Sequence, residues 1–318
     1  MFVVIPYVLI GGYTTLAWID LFQGSFLLCV ICFVPLYVMK VLGGWTALHG
    51  TLLSAALPLT LIPDSRPSAL ANVFFIATGW GLGYFGQPHI VTKFMGIRNV
   101  EEIPKSKWVG MIWMVIALSA ATFVGLVGIA FFSGKGLMNA QEVFILMVRQ
   151  TFHPFLAGLF LCGILATTIN SMSSQVLIVS SNLAEDFYKR FLRKKASQKE
   201  LLLVSRLGIL LVAVNAFLIV SGGFSSIYGL VLYAWSGLGA SFGPLVLFSL
   251  FSRKINRYGA WAGILSGGVL SATWPLIQSI WPTGDVSIPP LVPGFVISCL
   301  MIWIVSTLTS SFANGGKR

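Results

Sequence analysis

Thr167, Asn170, Ser171 and Ser174 stand at i, i+3, i+4 and i+7 of the run LATTINSMSSQVLIVSS, residues 165–181. That spacing places four neutral, oxygen-bearing side chains on one face of a helix. Serine and threonine hydroxyls bond back to their own helix at little cost, so on their own they say little. The asparagine says more, because a primary amide needs partners in a medium without water. Hydroxyl and carbonyl oxygens suit a hard cation such as sodium. The competing reading is interhelical hydrogen-bond glue.

A second anomaly is TGWGLGYFGQPHI, residues 78–90. Gly81, Gly83 and Gly86 weaken a helix, and Pro88 removes a backbone donor. Gln87, just before the proline, is pushed toward extended geometry. Unwound backbone at membrane depth is tolerated only where it faces protein or a watery cavity. Transporters use such breaks because freed backbone groups take polar solutes and ions. Trp80 and Tyr84 share a face beside the break and could hold a small, partly apolar solute, with Gly86, Gln87 and Pro88 supplying the backbone turn. The alternative is an interfacial aromatic pair at a helix end. Asp20, Glu185 and Asp186 fall at span ends, so no span carries a mid-membrane carboxylate of the kind proton relays use. Sodium is therefore favoured over protons as a coupling ion.

The elements that must carry these groups follow from composition. The chain is 57% hydrophobic and 9% charged, with mean hydropathy +0.90. Soluble domains carry roughly 25% charged residues. Residues 21–39 and 108–132 contain no Asp, Glu, Lys or Arg and are long enough to cross a bilayer. Runs this long and continuous predict helices, not barrel strands. Spans are expected near 21–43, 69–92, 108–132, 154–184, 202–221, 225–251, 258–280 and 290–310, with a partial span at 1–17. The expectation is an all-α polytopic membrane protein, read as one transmembrane domain over 1–318.

A net charge of +11 is also what a nucleic-acid binder carries, but here the cations alternate between connections. Sixteen of the twenty lie in the connections after 92, 184 and 251 and at the C-terminus; Lys40, Arg66, Lys135 and Arg149 lie in the others. The positive-inside rule then predicts a cytoplasmic C-terminus and a lipid bilayer, not nucleic acid, as the partner. Cys29, Cys32, Cys162 and Cys299 all lie in apolar spans and imply no disulfide framework. Gly259, Gly263 and Gly267 repeat every four residues and predict close helix packing. The stretch YAWSGLGASFGPLVLF, residues 233–248, reads equally as a hinge or a kinked packing helix. Ser197 and Glu200 have capping-box spacing before the next span. An intramembrane enzyme fares poorly, because the spans are not expected to present paired acids, an HExxH motif or a GxSxG nucleophile. Residues 1–17 lack a basic leader region and do not read as a signal peptide.

GWGLGYFGQPHIVTKFMGIR, SSNLAEDFYKRFLRKKASQKELLLVSRLGILLVA and LYAWSGLGASFGPLVLFSLFSR resemble the sodium/solute symporter family of bacteria, as does LAWIDLFQGSF at 16–26. The resemblance implies a five-plus-five inverted-repeat transporter in the cytoplasmic membrane. It implies sodium-coupled symport of a small amino acid, with L-proline the expected solute. By resemblance Trp80, Tyr84 and Pro88 fall on the substrate side. Position 167 would offer a backbone carbonyl to sodium, positions 170 and 171 their side chains, and Asp20 would be linked to sodium dependence. The family usually has serine where this chain has Asn170. Its members are longer, and the resemblance implies a C-terminal portion lacking the first helix of the first repeat. That leaves two further expectations: a separate chain supplying those helices, or a transport-inactive remnant acting as a membrane interaction partner.

Overall fold

The computed structural model describes the backbone of residues 4–55, 66–97, 99–133, 139–222, 227–281 and 284–310, with side chains from residue 18 onward except Leu177. Arg98, Lys135, Lys317 and Arg318, used above for orientation, lie outside these residues. The described secondary structure is helical: α1 (Val4–Val41), α2 (Gly44–Ser54), α3 (Pro67–Gly83), α4 (Pro88–Met95), α5 (Ile103–Phe131), α6 (Val143–Thr151), α7 (Pro154–Ser181), α8 (Gln198–Ser221), α9 (Ile227–Phe251), α10 (Arg257–Ile280) and α11 (Leu291–Leu308). Eight helical stretches among the described residues are long and apolar enough to cross a membrane, and they fall on the eight complete spans read from the sequence. From Val4 the partial span runs into the next without a break, so both belong to α1, and Asp20, expected at a span end, lies inside that helix.

The chain divides into two compact units, Met1–Thr60 with Arg98–Leu218, and Leu61–Ile97 with Ile219–Arg318. In the first, Val30, Val34 and Val38 of α1 meet Val124 and Val127 of α5, Leu48 and Leu52 of α2, and Met147 and Val148 of α6 in one buried cluster. These α1 positions are four apart, the spacing of one helix face. Phe33 and Tyr37 on α1 close against Phe152, with ring centroids 6.1 and 4.9 Å away. Ile209 of α8 packs on Ile169, Met172 and Val176 of α7.

After α7 the chain continues as a π-helical segment, Asn182–Leu192. It is tied to the start of α8: Glu200 accepts from the Tyr188 hydroxyl and the Arg193 guanidinium, both at 2.6 Å. That hydrogen bond holds the exposed guanidinium above its ordinary range. The Ser197 hydroxyl accepts from Glu200 N at 3.3 Å, as expected of a cap. The Glu200 carboxylate is spent on Tyr188 and Arg193, so only one half of the box forms.

The second unit is built on close backbone approach. A Cβ at Gly259 would meet Ser306 Oγ of α11 at 1.9 Å, and one at Gly263 would meet Ile302 at 2.3 Å. A Cβ at Gly267 would meet the Ala240 carbonyl of α9 at 2.3 Å. The glycine stripe is therefore what lets α9, α10 and α11 touch. Pro244 is buried inside α9, which runs on through it from Ile227 to Phe251.

Candidate functional site: a broken helix and a buried oxygen cluster

The break in the second unit lies where the glycines and proline place it. α3 ends at Gly83, Tyr84–Gly86 tightens into a 3-10 turn, and Gln87 is extended at φ −85°, ψ 113° before α4 starts at Pro88. Proline supplies the first position of the new helix, where no amide hydrogen is needed.

The glycines at the break also serve contact. A Cβ at Gly83 would meet the Trp235 indole nitrogen at 1.8 Å. A Cβ at Gly86 would meet Leu238 O at 2.5 Å, Gly239 Cα at 2.7 Å and Gly243 N at 2.8 Å. α9 thus lies directly against the turn. Trp235 Nε1 donates to the Trp80 carbonyl at 3.3 Å. The Gln87 amide is 2% exposed and donates to Gly83 O at 3.3 Å and Trp235 O at 3.2 Å. Gln87 accordingly locks the break to α9.

Trp80 and Tyr84 share a face, as their spacing requires. Both rings meet Trp235, with centroids 5.5 and 4.8 Å apart, and Trp80 also meets Tyr228 at 6.1 Å. Tyr84 is 37% exposed, so part of this aromatic wall is open. Trp235 and Tyr228 were not singled out in the sequence. The signal was there for Trp235, inside the glycine-rich stretch read equally as a hinge or a kinked packing helix.

Gly239-Ala240-Ser241-Phe242-Gly243 nonetheless spells the GxSxG letters of a nucleophile elbow, which the spans were expected to lack. That pattern activates serine on a sharp strand-to-helix turn. Here it lies inside continuous α9, where Gly239 faces Leu291 of α11 and the Gly83 backbone, and Gly243 faces Phe295 of α11 and the Gly86 backbone.

The polar stripe lies on α7 in the first unit. Thr167 donates back to Gly163 O at 2.9 Å, and Ser173 to Ile169 O at 2.8 Å. Asn170 is 3% exposed, and its amide donates to the Asp20 carboxylate of α1. The face is not uniform: Thr167 and Ser174 are half-buried and Ser171 is exposed. A Cβ at Gly163 would meet the Phe26 ring at 2.4 Å. The pairs 26 with 163 and 20 with 170 make α1 and α7 antiparallel at this crossing. Between them sits Gln23, on the Asp20–Phe26 face of α1.

Two amide oxygens at this crossing, Asn170 Oδ1 and Gln23 Oε1, are buried and accept no hydrogen bond. An orphaned carbonyl oxygen in a dry interior costs about 1–3 kcal/mol. With the Asp20 carboxylate alongside, the donor set is all oxygen, which fits sodium in kind. Among the described residues no three His, Cys, Asp or Glu gather as a transition-metal site would require. Gln23 was missed in the sequence; its signal was a second polar residue one turn from Asp20 in an apolar run.

The sequence pattern of the sodium:solute symporter family matches residues 1–267. The chain belongs to that family of membrane transporters. Sodium/proline symporters of Staphylococcus aureus, including those of strains JH9 and Newman, are 38% identical to it over 317 residues. The match takes in 97% of this chain and 61% of each relative, so the chain spans about three fifths of their length. Among solved structures, the substrate-bound outward-open state of a Na+-coupled sialic acid symporter shares the fold. Its TM-score is 0.71 at 18% identity, over 97% of this chain and 65% of that one.

Proposed function

We propose that this chain carries the solute and ion positions of a sodium-coupled symporter for a small amino acid, L-proline. The observation that carries the reading is the pairing of two polar interruptions in otherwise apolar units. One is a helix broken beneath an aromatic wall; the other is a buried oxygen cluster with unfilled acceptors. The 38% identity to sodium/proline symporters supplies the solute.

On this reading the Trp80 and Tyr84 rings flank the pyrrolidine ring. Gly86, Gln87 and Pro88 hold the break open so that backbone groups can meet the carboxylate and amine. Sodium binds at the α7 stripe, with Asn170 and Asp20 central, Thr167 and Ser174 contributing oxygens, and Ser171 at its exposed edge. Thr167 and Ser173 hydroxyls that donate back to the helix keep lone pairs free for a cation. Transport runs by alternating access. Sodium binding favours the conformation that retains solute, and by linkage solute raises sodium affinity by the same factor.

We assign both units to one transport domain in the bacterial cytoplasmic membrane. The cation-rich connections and the C-terminus face the cytoplasm, on the sixteen-to-four split of Lys and Arg. No catalytic step is assigned. A separate chain completing the transporter is tested by co-purification. The function is tested by labelled proline uptake into proteoliposomes under an imposed sodium gradient. Trp80→Ala and Tyr84→Ala should each raise the half-saturating proline concentration; unchanged affinity in both would remove the solute assignment.

A further inference from the structure

At the end of the second unit opposite the α10–α11 connection lies a cleft of about 710 Å³ unrelated to the broken helix. Its polar wall holds Ser252, Arg253 and Lys254 from the α9–α10 connection and Ser306 from the last turn of α11. Its apolar wall is Phe248 and Trp303. The floor is fixed by Asn256, whose Nδ2 donates to Ser306 O at 3.3 Å and Thr309 Oγ1 at 2.7 Å, and whose Oδ1 caps α10 by accepting from Gly259 N at 3.0 Å.

The two cations at the mouth are exposed, and neither side chain makes an ion pair with a described residue. The nearby Arg257 is engaged elsewhere, on the Tyr258 ring and hydroxyl. Among the described residues of this unit the only acid is Asp285, in the α10–α11 connection. The 24 residues of α10 separate it from Arg253, about 36 Å of helix. Within its own unit the cleft is therefore electropositive and lined by hydroxyls, and it opens beside an exposed tryptophan, Trp303, 62% accessible.

We propose that this cleft binds the phosphate headgroup of an anionic phospholipid, with Arg253 and Lys254 on the phosphate, Ser252 and Ser306 offering hydroxyls, and Phe248 and Trp303 against the upper acyl chain. Free inorganic phosphate would meet the same cations and hydroxyls. The apolar wall is what selects lipid, because a small hydrated anion gains nothing from Phe248 or Trp303. Basic clefts between membrane helices hold acidic lipid headgroups by this combination of charge and apolar contact. The positive end of α10 adds to the field.

The test is binding of short-chain phosphatidylglycerol to the purified full chain in neutral detergent, against phosphatidylcholine of the same chain length and against inorganic phosphate. Saturable phosphatidylglycerol binding is expected, with phosphatidylcholine and phosphate far weaker. Arg253→Gln with Lys254→Gln should weaken it about thirtyfold, each cation near an anionic surface being worth about a fivefold change. The charge-preserving Arg253→Lys with Lys254→Arg should retain it, which separates lost binding from lost folding. Lys194→Gln with Lys195→Gln removes equal charge elsewhere and should leave it intact. Equal loss in both glutamine pairs, phosphate binding as tight as phosphatidylglycerol, or indifference to the headgroup would each overturn the proposal.

Discussion

Gly86→Ala adds one methyl group where three backbone atoms of α9 already stand. The nearest is 2.5 Å from the new Cβ, and the next two are at 2.7 and 2.8 Å. Comfortable carbon contacts lie at about 3.5–4.0 Å. The turn and α9 must therefore separate by roughly 1 Å. Because all three atoms are backbone, no rotamer change relieves the clash. Overpacking of this kind costs about 1–3 kcal/mol. The displacement also strains the two hydrogen bonds of the buried Gln87 amide. Gly81→Ala is the control, five residues earlier in the same segment. A Cβ there meets nothing within 4 Å, and in a helix interior alanine gains about 0.5–1 kcal/mol over glycine. The two variants should thus shift thermal unfolding in detergent in opposite directions. Trp fluorescence reports the break directly, since Trp235 and Trp80 flank it. A Gly86→Ala protein that melts at or above wild type, with unchanged tryptophan emission, would refute the close-approach account of this glycine.

Asp20→Asn removes the carboxylate that accepts from the Asn170 amide. Bonds to charged groups contribute about 1.5–3 kcal/mol, so the half-saturating sodium concentration for uptake should rise about ten- to hundredfold; the sodium dependence of initial rates reads it. Gln23→Leu removes one orphaned oxygen. If that oxygen serves the cation, sodium dependence weakens while thermal stability is unchanged or higher; stability falling with sodium response intact would mark a structural role. Trp235→Phe keeps a ring but loses the bond to Trp80 O, a change of about 0.5–1.5 kcal/mol, whereas Trp235→Ala should cost about 3–5 kcal/mol; paired denaturation curves compare them. Ser197→Ala should lose about 0.5–2 kcal/mol of cap, seen as faster amide exchange confined to the first turn of α8.

The spans were readable because lipid imposes the simplest pattern a sequence can carry, a run of apolar residues of bilayer length. The break at Gln87 was readable too, since Pro88 restricts the residue before it whatever the tertiary context. What spacing could not supply was the partner of each feature. Nothing local says that Gly83 and Gly86 are small because Trp235 and the Leu238 backbone lie on them, each 152 residues further along. Likewise the helical period put Asn170 and Ser171 on one face, yet Asn170 is buried against Asp20 and Ser171 is exposed. An i, i+1 difference of roughly 100° around the axis is enough to separate them. The GASFG letters in α9 show the converse failure, a catalytic spelling produced by glycines needed for packing.

On the proposed function, cation and solute occupy this protein together. Equilibrium binding of labelled L-proline, titrated with sodium at constant ionic strength using choline as replacement, tests it most directly. Proline binding should rise with sodium, lose that dependence in Asp20→Asn, and fall at every sodium concentration in Trp80→Ala. Proline binding of equal affinity in choline and in sodium would contradict it.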